Sequence, residues 1–307
     1  MKVHSLYIYP VKSCSSVPVN SCELGEFGFK YDRFWVIAEF RNDKWAMITQ
    51  REISQMVLIV PKVIVEGDST TLVLNAPGMS ELVVPLAYNH DSVDIIVWKD
   101  IVTGTSQGAE AAAWFSQYIG KPVQLFAKDK RRIRTLNQKH TPSIELFAHQ
   151  PQTAFADGFP FLILSTASVE KFAEGLPEHP FQITPKSFRP NIVIEVPEPF
   201  DEETFIKVKV GNVPFVIAAR SARCIMTNNN PETGIPDPNV FKHAMRTRRI
   251  DPGKKYDACM GMNAIALVDT GKIAVGDKIE VMEKGTHNLK GIWHGNSHPI
   301  DPDTIKV

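Results

Sequence analysis

Short apolar runs broken by turn residues recur through the first 125 residues, and this spacing limits the fold more than any other feature. Lys2–Pro10 alternates Leu6 and Ile8 against Tyr7 and Tyr9, and Phe34–Phe40 leads through the polar break Arg41-Asn42-Asp43-Lys44 into Trp45–Thr49. That break is a hairpin signal. Val57–Val65, Thr71–Leu74, Leu82–Leu86 and Val93–Trp98 follow, separated by turn residues such as Glu66-Gly67-Asp68-Ser69 and Ala76-Pro77-Gly78. Short strands at such regular intervals predict a barrel or meander. One helix is expected in this half. Ala109, Ala112, Ala113, Trp114, Phe115, Tyr118 and Ile119 recur near helical spacing, and Gly120 before Pro122 stops it.

The second half has a different pattern. Phe159–Leu164 is wholly apolar and predicts a buried strand; it runs into Ser165-Thr166-Ala167-Ser168, whose hydroxyls suit the N-cap of a helix over Val169–Leu176. Strands are expected at Asn191–Val196, Phe205–Val210, Val213–Ile217, Met262–Val268 and Lys278–Met282, with a poorly tied tail from Gly285 onward. Between the halves, Ala127–Gln152 reads as a long binding loop or excursion, and its basic run Lys128-Asp129-Lys130-Arg131-Arg132, taken alone, as solvated surface. The fold class expected is mainly β with a few helices (α+β). A β-barrel-like unit covers 1–125 and a second unit covers 126–307, its core ending near 283.

Composition removes several function classes. Lys and Arg number 34, as do Asp and Glu, so the net charge is zero and the basic excess of a nucleic-acid binder is missing. The chain is 43% hydrophobic and 22% charged, the balance of a folded chain. Four cysteines without a Cys-x-x-Cys pair make neither a disulfide scaffold nor a four-thiolate metal site. No stretch reads as a signal peptide or a membrane span, so the expectation is a cytoplasmic protein with free thiols and no transmembrane segment.

Among those thiols Cys224 is the most informative. It follows Arg220-Ser221-Ala222-Arg223 and precedes the Asn-rich turn Asn228-Asn229-Asn230-Pro231. Two flanking guanidiniums would favour the thiolate, the form that attacks electrophiles and binds soft metals. An isolated cysteine at a strand end is ordinarily a buried structural residue, and here the flanking Arg pair and the Asn-rich turn weaken that reading. Lys12-Ser13 leaves the first strand and can offer an ammonium, a hydroxyl and backbone N–H groups to an anion. Arg33, between Asp32 and Phe34-Trp35, is either a ligand clamp or a structural ion pair. Pro190 keeps Arg189 out of helix, so Arg189 can project from a strand mouth or satisfy loop carbonyls. Lys12, Arg33, Arg189 and Arg223 are thus cations at strand ends or turns, with Ser13, Ser165, Thr166 and Ser221 as hydroxyl candidates. A phosphorylated organic cofactor with a soft metal held by one thiolate would use this inventory.

Six strings carry a resemblance: Tyr-Pro-Val-Lys-Ser-Cys from Tyr9, Asp-Arg-Phe-Trp from Asp32, Pro-Phe-Leu-Ile-Leu-Ser-x-Ala-Ser from Pro160, Phe-Arg-Pro-Asn-Ile-Val from Phe188, Arg-Cys-Ile-x-Thr from Arg223 and Pro-Glu-Thr-Gly from Pro231. In this order they resemble the molybdenum cofactor sulfurase C-terminal (MOSC) domain family with its N-terminal β-barrel partner, nearest to the mitochondrial amidoxime-reducing component and its bacterial relatives. The resemblance runs from Lys2 to about Val281. It implies a MOSC-type β-barrel packed on the first unit and a molybdenum cofactor (Mo-molybdopterin) whose metal is ligated by Cys224. It further implies that Lys12, Ser13, Arg33, Arg189, Ser221 and Arg223 grip the pterin and its phosphate. Ser165, Thr166 and Asn191 come from the same strings, and Asn263 falls where the family places a polar cofactor contact. The activity implied is reduction of small N-hydroxylated compounds such as amidoximes and hydroxylamines. No clustered cysteines follow Cys259, so electrons would come from a separate ferredoxin-, flavin- or cytochrome-type protein. The alternative within the resemblance is a cofactor carrier or sulfur-handling protein without reductase activity.

One departure stands out: where the family often reads Phe-Gly-Gln-Asn or Phe-Gly-Gln-Tyr, this chain has Met260-Gly261-Met262-Asn263. Other features carry no function of their own. His294 and His298 are four apart, but Gly295 and Pro299 oppose the helix that a metal pair would need. Gly25-Glu26-Phe27-Gly28 is a turn, with neither the preceding strand nor the following helix of a dinucleotide loop.

Overall fold

The computed structural model describes residues 1–88, 90–129, 134–136, 146–147, 150–176, 182–251, 256–287, 293–294 and 298–299. Five strands of the first half close into a barrel in the order Ser92–Val97, Asp100–Ser106, Gln124–Lys128, Trp35–Arg41 and Lys44–Met47. Parallel pairing of Trp45 and Ala46 with Ile95 and Ile96 makes the closure. The predicted hairpin at Arg41–Lys44 forms with Asn42 and Asp43 both at positive φ (51° and 58°). Such a turn matches the right-handed twist of the flanking strands. A separate three-stranded sheet, Val60–Glu66, Ser69–Asn75 and Leu82–Pro85, and helix α1 (Ala109–Ile119) pack on the barrel around Trp35, Ile37, Leu72 and Phe115.

Asp100–Ser106 escapes the sequence reading because Thr103, Gly104 and Thr105 lack an apolar run. Gly104 is nevertheless required there. A Cβ on it would lie 2.7 Å from Ile95 Cδ1 and 3.0 Å from Phe126 Cβ, so only a residue without a side chain lets the neighbouring strands approach.

The second sheet has eight strands in the order Ile279–Lys284, Phe205–Val210, Val213–Ala222, Cys259–Ala266, Phe161–Ser165, Ile192–Glu195, Lys2–Ile8 and Val17–Val19. The first strand of the chain therefore pairs with Ile192–Glu195, almost two hundred residues away. The sheet curls back on itself: Val3 N donates to Asp277 O at 2.9 Å, Gly276 N to Val3 O at 2.9 Å and Ile279 N to Met1 O at 3.0 Å. Inside the curl lie Leu6, Phe29, Phe161, Ile163, Phe215 and Met262. Helix α2 (Thr166–Glu174) starts three residues before the expected Val169, because Ser165, the first of the candidate hydroxyls, is the cap: its Oγ accepts from Ser168 N at 3.1 Å. Helix α3 (Pro238–Thr247) was not expected, although Asp237 caps it and Pro238 opens it. No helix among the described residues is long and apolar enough to cross a membrane.

Two expectations are corrected. Lys128 is not solvated surface: it ends a barrel strand fully buried, its Nζ donating to Asp129 O. The long segment is pinned at both ends, by the Thr135–Gln152 bridge and by buried Arg134. Lys130–Arg132 lie outside the described residues. The tail does not come loose at Gly285 either. Gly285 N donates to Thr204 O at 2.8 Å, and His287 is 2% exposed with its ring Nε2 2.7 Å from Phe205 O. Beyond it, Trp293–His294 pairs antiparallel with His298–Pro299, a non-helical backbone.

Burial, with Arg220 adding to it, outweighs the hydrogen bond to Phe205 O and pushes the His287 imidazole down to about 4. The unfolded chain therefore binds the extra proton first. The stability from a neutral His287 is complete above pH ~6.5 and is lost as the pH falls toward 4. A shift of this size corresponds to about 3 kcal/mol. Urea midpoints measured between pH 7 and 4 should fall for the native chain and flatten in His287→Gln; parallel profiles would refute this.

Candidate functional site

Where the barrel meets the curled sheet there is a cavity of about 350 Å³. Its walls come from both halves of the chain because the strand Lys2–Ile8, a member of the second sheet, runs on into Tyr9-Pro10-Val11-Lys12-Ser13 and delivers that segment to the junction. Four lining residues have left-handed backbones: Trp98 (φ 58°), taken up below, and Ser13 (φ 67°), Arg33 (φ 46°) and Arg189 (φ 58°). Such positions cost about 1–3 kcal/mol each for residues other than glycine and collect where a site is being shaped. Here the last three turn two guanidiniums and a hydroxyl toward one space.

Tyr9 spaces those guanidiniums. Arg33 lies 4.2 Å and Arg189 4.3 Å from its ring centroid, and the phenol donates to Pro190 O at 3.1 Å. A cation over an aromatic face is attracted by the ring quadrupole, which offsets the repulsion of two like charges held close. Arg33 reaches Asp32 Oδ2 at 2.5 Å, Asn191 Oδ1 at 3.0 Å and Arg189 O at 3.1 Å, so it is both ion pair and cavity wall. Arg189 donates to Cys14 O at 2.8 Å. Burial first, then Arg33, pushes the Arg189 guanidinium down to about 10.

On another wall Lys12 Nζ donates to Phe155 O at 2.7 Å and to Asp157 Oδ1 at 2.5 Å. Burial lowers the Lys12 ammonium and Asp157 works against that. Asp157 belongs to a short segment braced from behind by buried Arg134, which donates to Ala154 O, Ala156 O and Asp157 O. Its carboxylate is 60% accessible within the concavity and also receives Trp98 Nε1 at 2.8 Å. Burial alone would raise it, but the Lys12 charge and hydrogen bond, with Trp98 and Arg33, hold it well below the usual carboxylate range. Among the residues lining the cavity, Lys12, Arg33, Arg51, Arg189 and Arg223 face this single carboxylate. The excess of positive charge suits an anion.

Cys224 follows the strand Val213–Ala222. Arg223 N donates to Ala258 O at 2.7 Å, and Cys224 O accepts from Thr227 N at 3.1 Å and Thr227 Oγ1 at 3.0 Å, which fixes the backbone at the thiol. Of the four cysteines, Cys224 alone lines the cavity. Cys14 is buried in an apolar cluster with its thiol pushed up by desolvation, Cys22 is pushed up by burial to about 12, and Cys259 is buried. Arg223 donates to Ser221 Oγ at 2.9 Å and Phe188 O at 2.6 Å, while its Nε is buried with no partner among the described residues. Burial lowers its guanidinium and neighbouring Cys224 and Asp157 oppose this.

The expected pair of guanidiniums beside Cys224 is reduced to one. Strand alternation turns Ser221 into the cavity and Arg220 to the other side, where it meets Glu203 Oε2 at 3.3 Å. Lys12, Ser13, Arg33, Arg189, Asn191, Ser221, Arg223, Cys224 and Asn263 all line the cavity. Ser165 and Thr166 do not. Ser165 is fully buried and committed to capping α2, and Thr166 is the first residue of that helix. Met260 and Met262, at the departure from the family's usual string, are buried in two apolar clusters and do not reach the cavity, whereas Asn263 does. Gly261 between them has φ 77°, and a Cβ there would meet Ile163 O at 2.9 Å. Thr49, Arg51, Trp98 and Asp157 were not anticipated, because loops unrelated in sequence bring them in.

Two family profiles match the chain: the MOSC N-terminal beta barrel domain over residues 1–122 and the MOSC domain over residues 150–280. Mitochondrial amidoxime reducing component 2 of Bos taurus is 31% identical over 291 residues, covering 91% of this chain and 83% of its own length. Molybdenum cofactor sulfurase of Homo sapiens is 26% identical over 258 residues, which span 80% of this chain and 28% of the sulfurase. The crystal structure of the YUAD protein from Bacillus subtilis covers 91% of this chain and 93% of its own at 12% identity, with a TM-score of 0.34. The two profile matches follow one another along the chain as the barrel and the curled sheet do, and with the bovine match over nine-tenths of the residues they place this chain in the MOSC family, alongside the mitochondrial amidoxime-reducing components.

Proposed function

We propose that this chain is a molybdenum-cofactor-dependent oxidoreductase that reduces N-hydroxylated compounds, amidoximes and hydroxylamines, with electrons from a separate donor protein. The observation that carries the reading is a single half-buried thiol opening on a cavity lined, among the described residues, by five cations and one carboxylate. A soft metal that brings most of its own ligands suits one thiolate, and an organic phosphate suits the cations and hydroxyls. In this reading Cys224 ligates the metal. Lys12, Ser13, Arg33, Arg189, Ser221 and Arg223, with Asn191 and Asn263, hold the pterin and its phosphate. The buried Nε of Arg223, with no acceptor among the described residues, is a donor such a ligand can use. The chain comprises two units in this account, 1–125 and 126–307, the first lending Lys2–Ile8 to the sheet of the second.

When bound, the cofactor supplies the two-electron chemistry that breaks the substrate N–O bond. The donor provides the two electrons, two protons enter, and water leaves with the amidine or amine. The residues of the chain orient and screen. Buried guanidiniums keep the anion fixed and the cavity positive, while Lys12 and Asp157 set an ammonium–carboxylate pair on its wall.

Protein made in a cofactor-competent host should contain near-stoichiometric molybdenum and reduce benzamidoxime with a reduced dye as donor. Absence of both would overturn the reading. The sulfurase match favours a second reading, a cofactor carrier or sulfur-handling protein; tight cofactor binding without turnover would select it.

A further inference from the structure

Trp98 performs no task in the cofactor reading, yet the fold holds it under strain. It occupies the hairpin between Ser92–Val97 and Asp100–Ser106 with φ 58°. For a bulky side chain this is a genuine outlier, and a turn of this kind is ordinarily built from Gly or Asn. Core packing does not account for it, since the indole is 39% exposed. Instead it is tethered twice, by residues from two other loops. Its Nε1 donates to Asp157 Oδ1 at 2.8 Å, and the Arg51 guanidinium lies 4.1 Å from the ring centroid. Trp98, Asp157 and Arg51 line the same cavity as Cys224.

We propose that Trp98, clamped between Arg51 and Asp157, is the specificity-determining residue of this site: an aromatic wall that selects planar, conjugated N-hydroxylated substrates over aliphatic ones. This rests on the reductase reading. An immobilised indole with an exposed surface gains offset or edge contacts with a second π-system, beyond the area covered. A methyl group in the same place recovers little of that gain. The hydrogen bond to Asp157 fixes the ring plane in advance, so little rotamer freedom is lost when a substrate arrives.

The test compares benzamidoxime with acetamidoxime, which share the reacting group and differ as a ring differs from a methyl, at matched molybdenum content. Trp98→Leu should lower kcat/KM for benzamidoxime by about tenfold while acetamidoxime stays near its native value. Trp98→Phe, which keeps a ring, should retain most of the preference. Equal losses on both substrates, or none, would overturn the proposal. Calorimetric binding of benzamidoxime to molybdenum-free protein separates the two ideas. If the native chain turns over neither substrate but binds benzamidoxime, and Trp98→Leu does not, the aromatic wall stands and the reductase reading falls. If binding is unaltered in Trp98→Leu, the wall falls whatever the turnover.

Discussion

Cys224→Ala is expected to leave a folded protein with background molybdenum and no measurable reduction of benzamidoxime. The thiol is half-buried at a strand end rather than packed in a core cluster, and the backbone there is held by bonds from Thr227 to Cys224 O and from Arg223 N to Ala258 O that do not involve the thiol. Stability should therefore change by less than about 1 kcal/mol. The cations on Lys12, Arg33, Arg189 and Arg223 have partners of their own and stay in place. Inorganic pyrophosphate should accordingly bind molybdenum-free native and variant protein alike, and in both less tightly as ionic strength rises. Molybdenum retained undiminished in Cys224→Ala would remove the thiol from the metal's ligands. Loss of pyrophosphate affinity in the variant would mean that the thiol shapes the cavity rather than serving a metal.

Glu203→Ala is expected to cost about 3–5 kcal/mol, the range for stripping one partner from a buried ion pair. Glu203 stands between Arg248, which it meets through Oε1, and Arg220, and each of these guanidiniums is about nine-tenths buried. Desolvation raises the Glu203 carboxyl in spite of both arginines, a sign of how little water reaches the group. Without it, Arg248, stacked 3.7 Å over the Phe200 ring, and Arg220 are left facing each other with no anion between them. Neighbouring Glu202 cannot substitute, because it already accepts from Ser165 N at 3.1 Å and Ser168 Oγ at 2.9 Å. Urea unfolding at neutral pH gives the number; an unfolding free energy lowered by less than about 1 kcal/mol would mean that solvent reaches the triad. This network braces the strand that leads to Ser221 and Cys224 from the side opposite the cavity, so a loosened variant should also retain less molybdenum.

How much was legible can be judged from particular residues. The Ala109–Ile119 helix, the Ser165 cap and the Phe205–Val210 strand follow from patterns within a few neighbouring positions, and they form as expected. Ser165 shows the limit of such reading. Its hydroxyl served two hypotheses at once, helix cap and cofactor contact, and only the fold shows that the cap consumes it. Arg220 and Arg223 looked equivalent beside Cys224 until strand alternation sent the first to Glu203. Trp98 and Asp157 carried no motif, since their meaning depends on each other across 59 residues.

From its order of residues alone, this chain determined where the apolar strands run, where α1 stops, that a hydroxyl caps α2 and which thiol sits amid cations, because those outcomes depend on near neighbours and on charge content. Tertiary structure decided which of the cations share a space with that thiol. The decision required Lys2–Ile8 to pair with Ile192–Glu195, two guanidiniums to settle on one tyrosine ring, and barrel loops to bring Thr49, Arg51 and Trp98 to the cavity wall. Contacts over such separations follow from packing of the whole chain, and no local pattern encodes them.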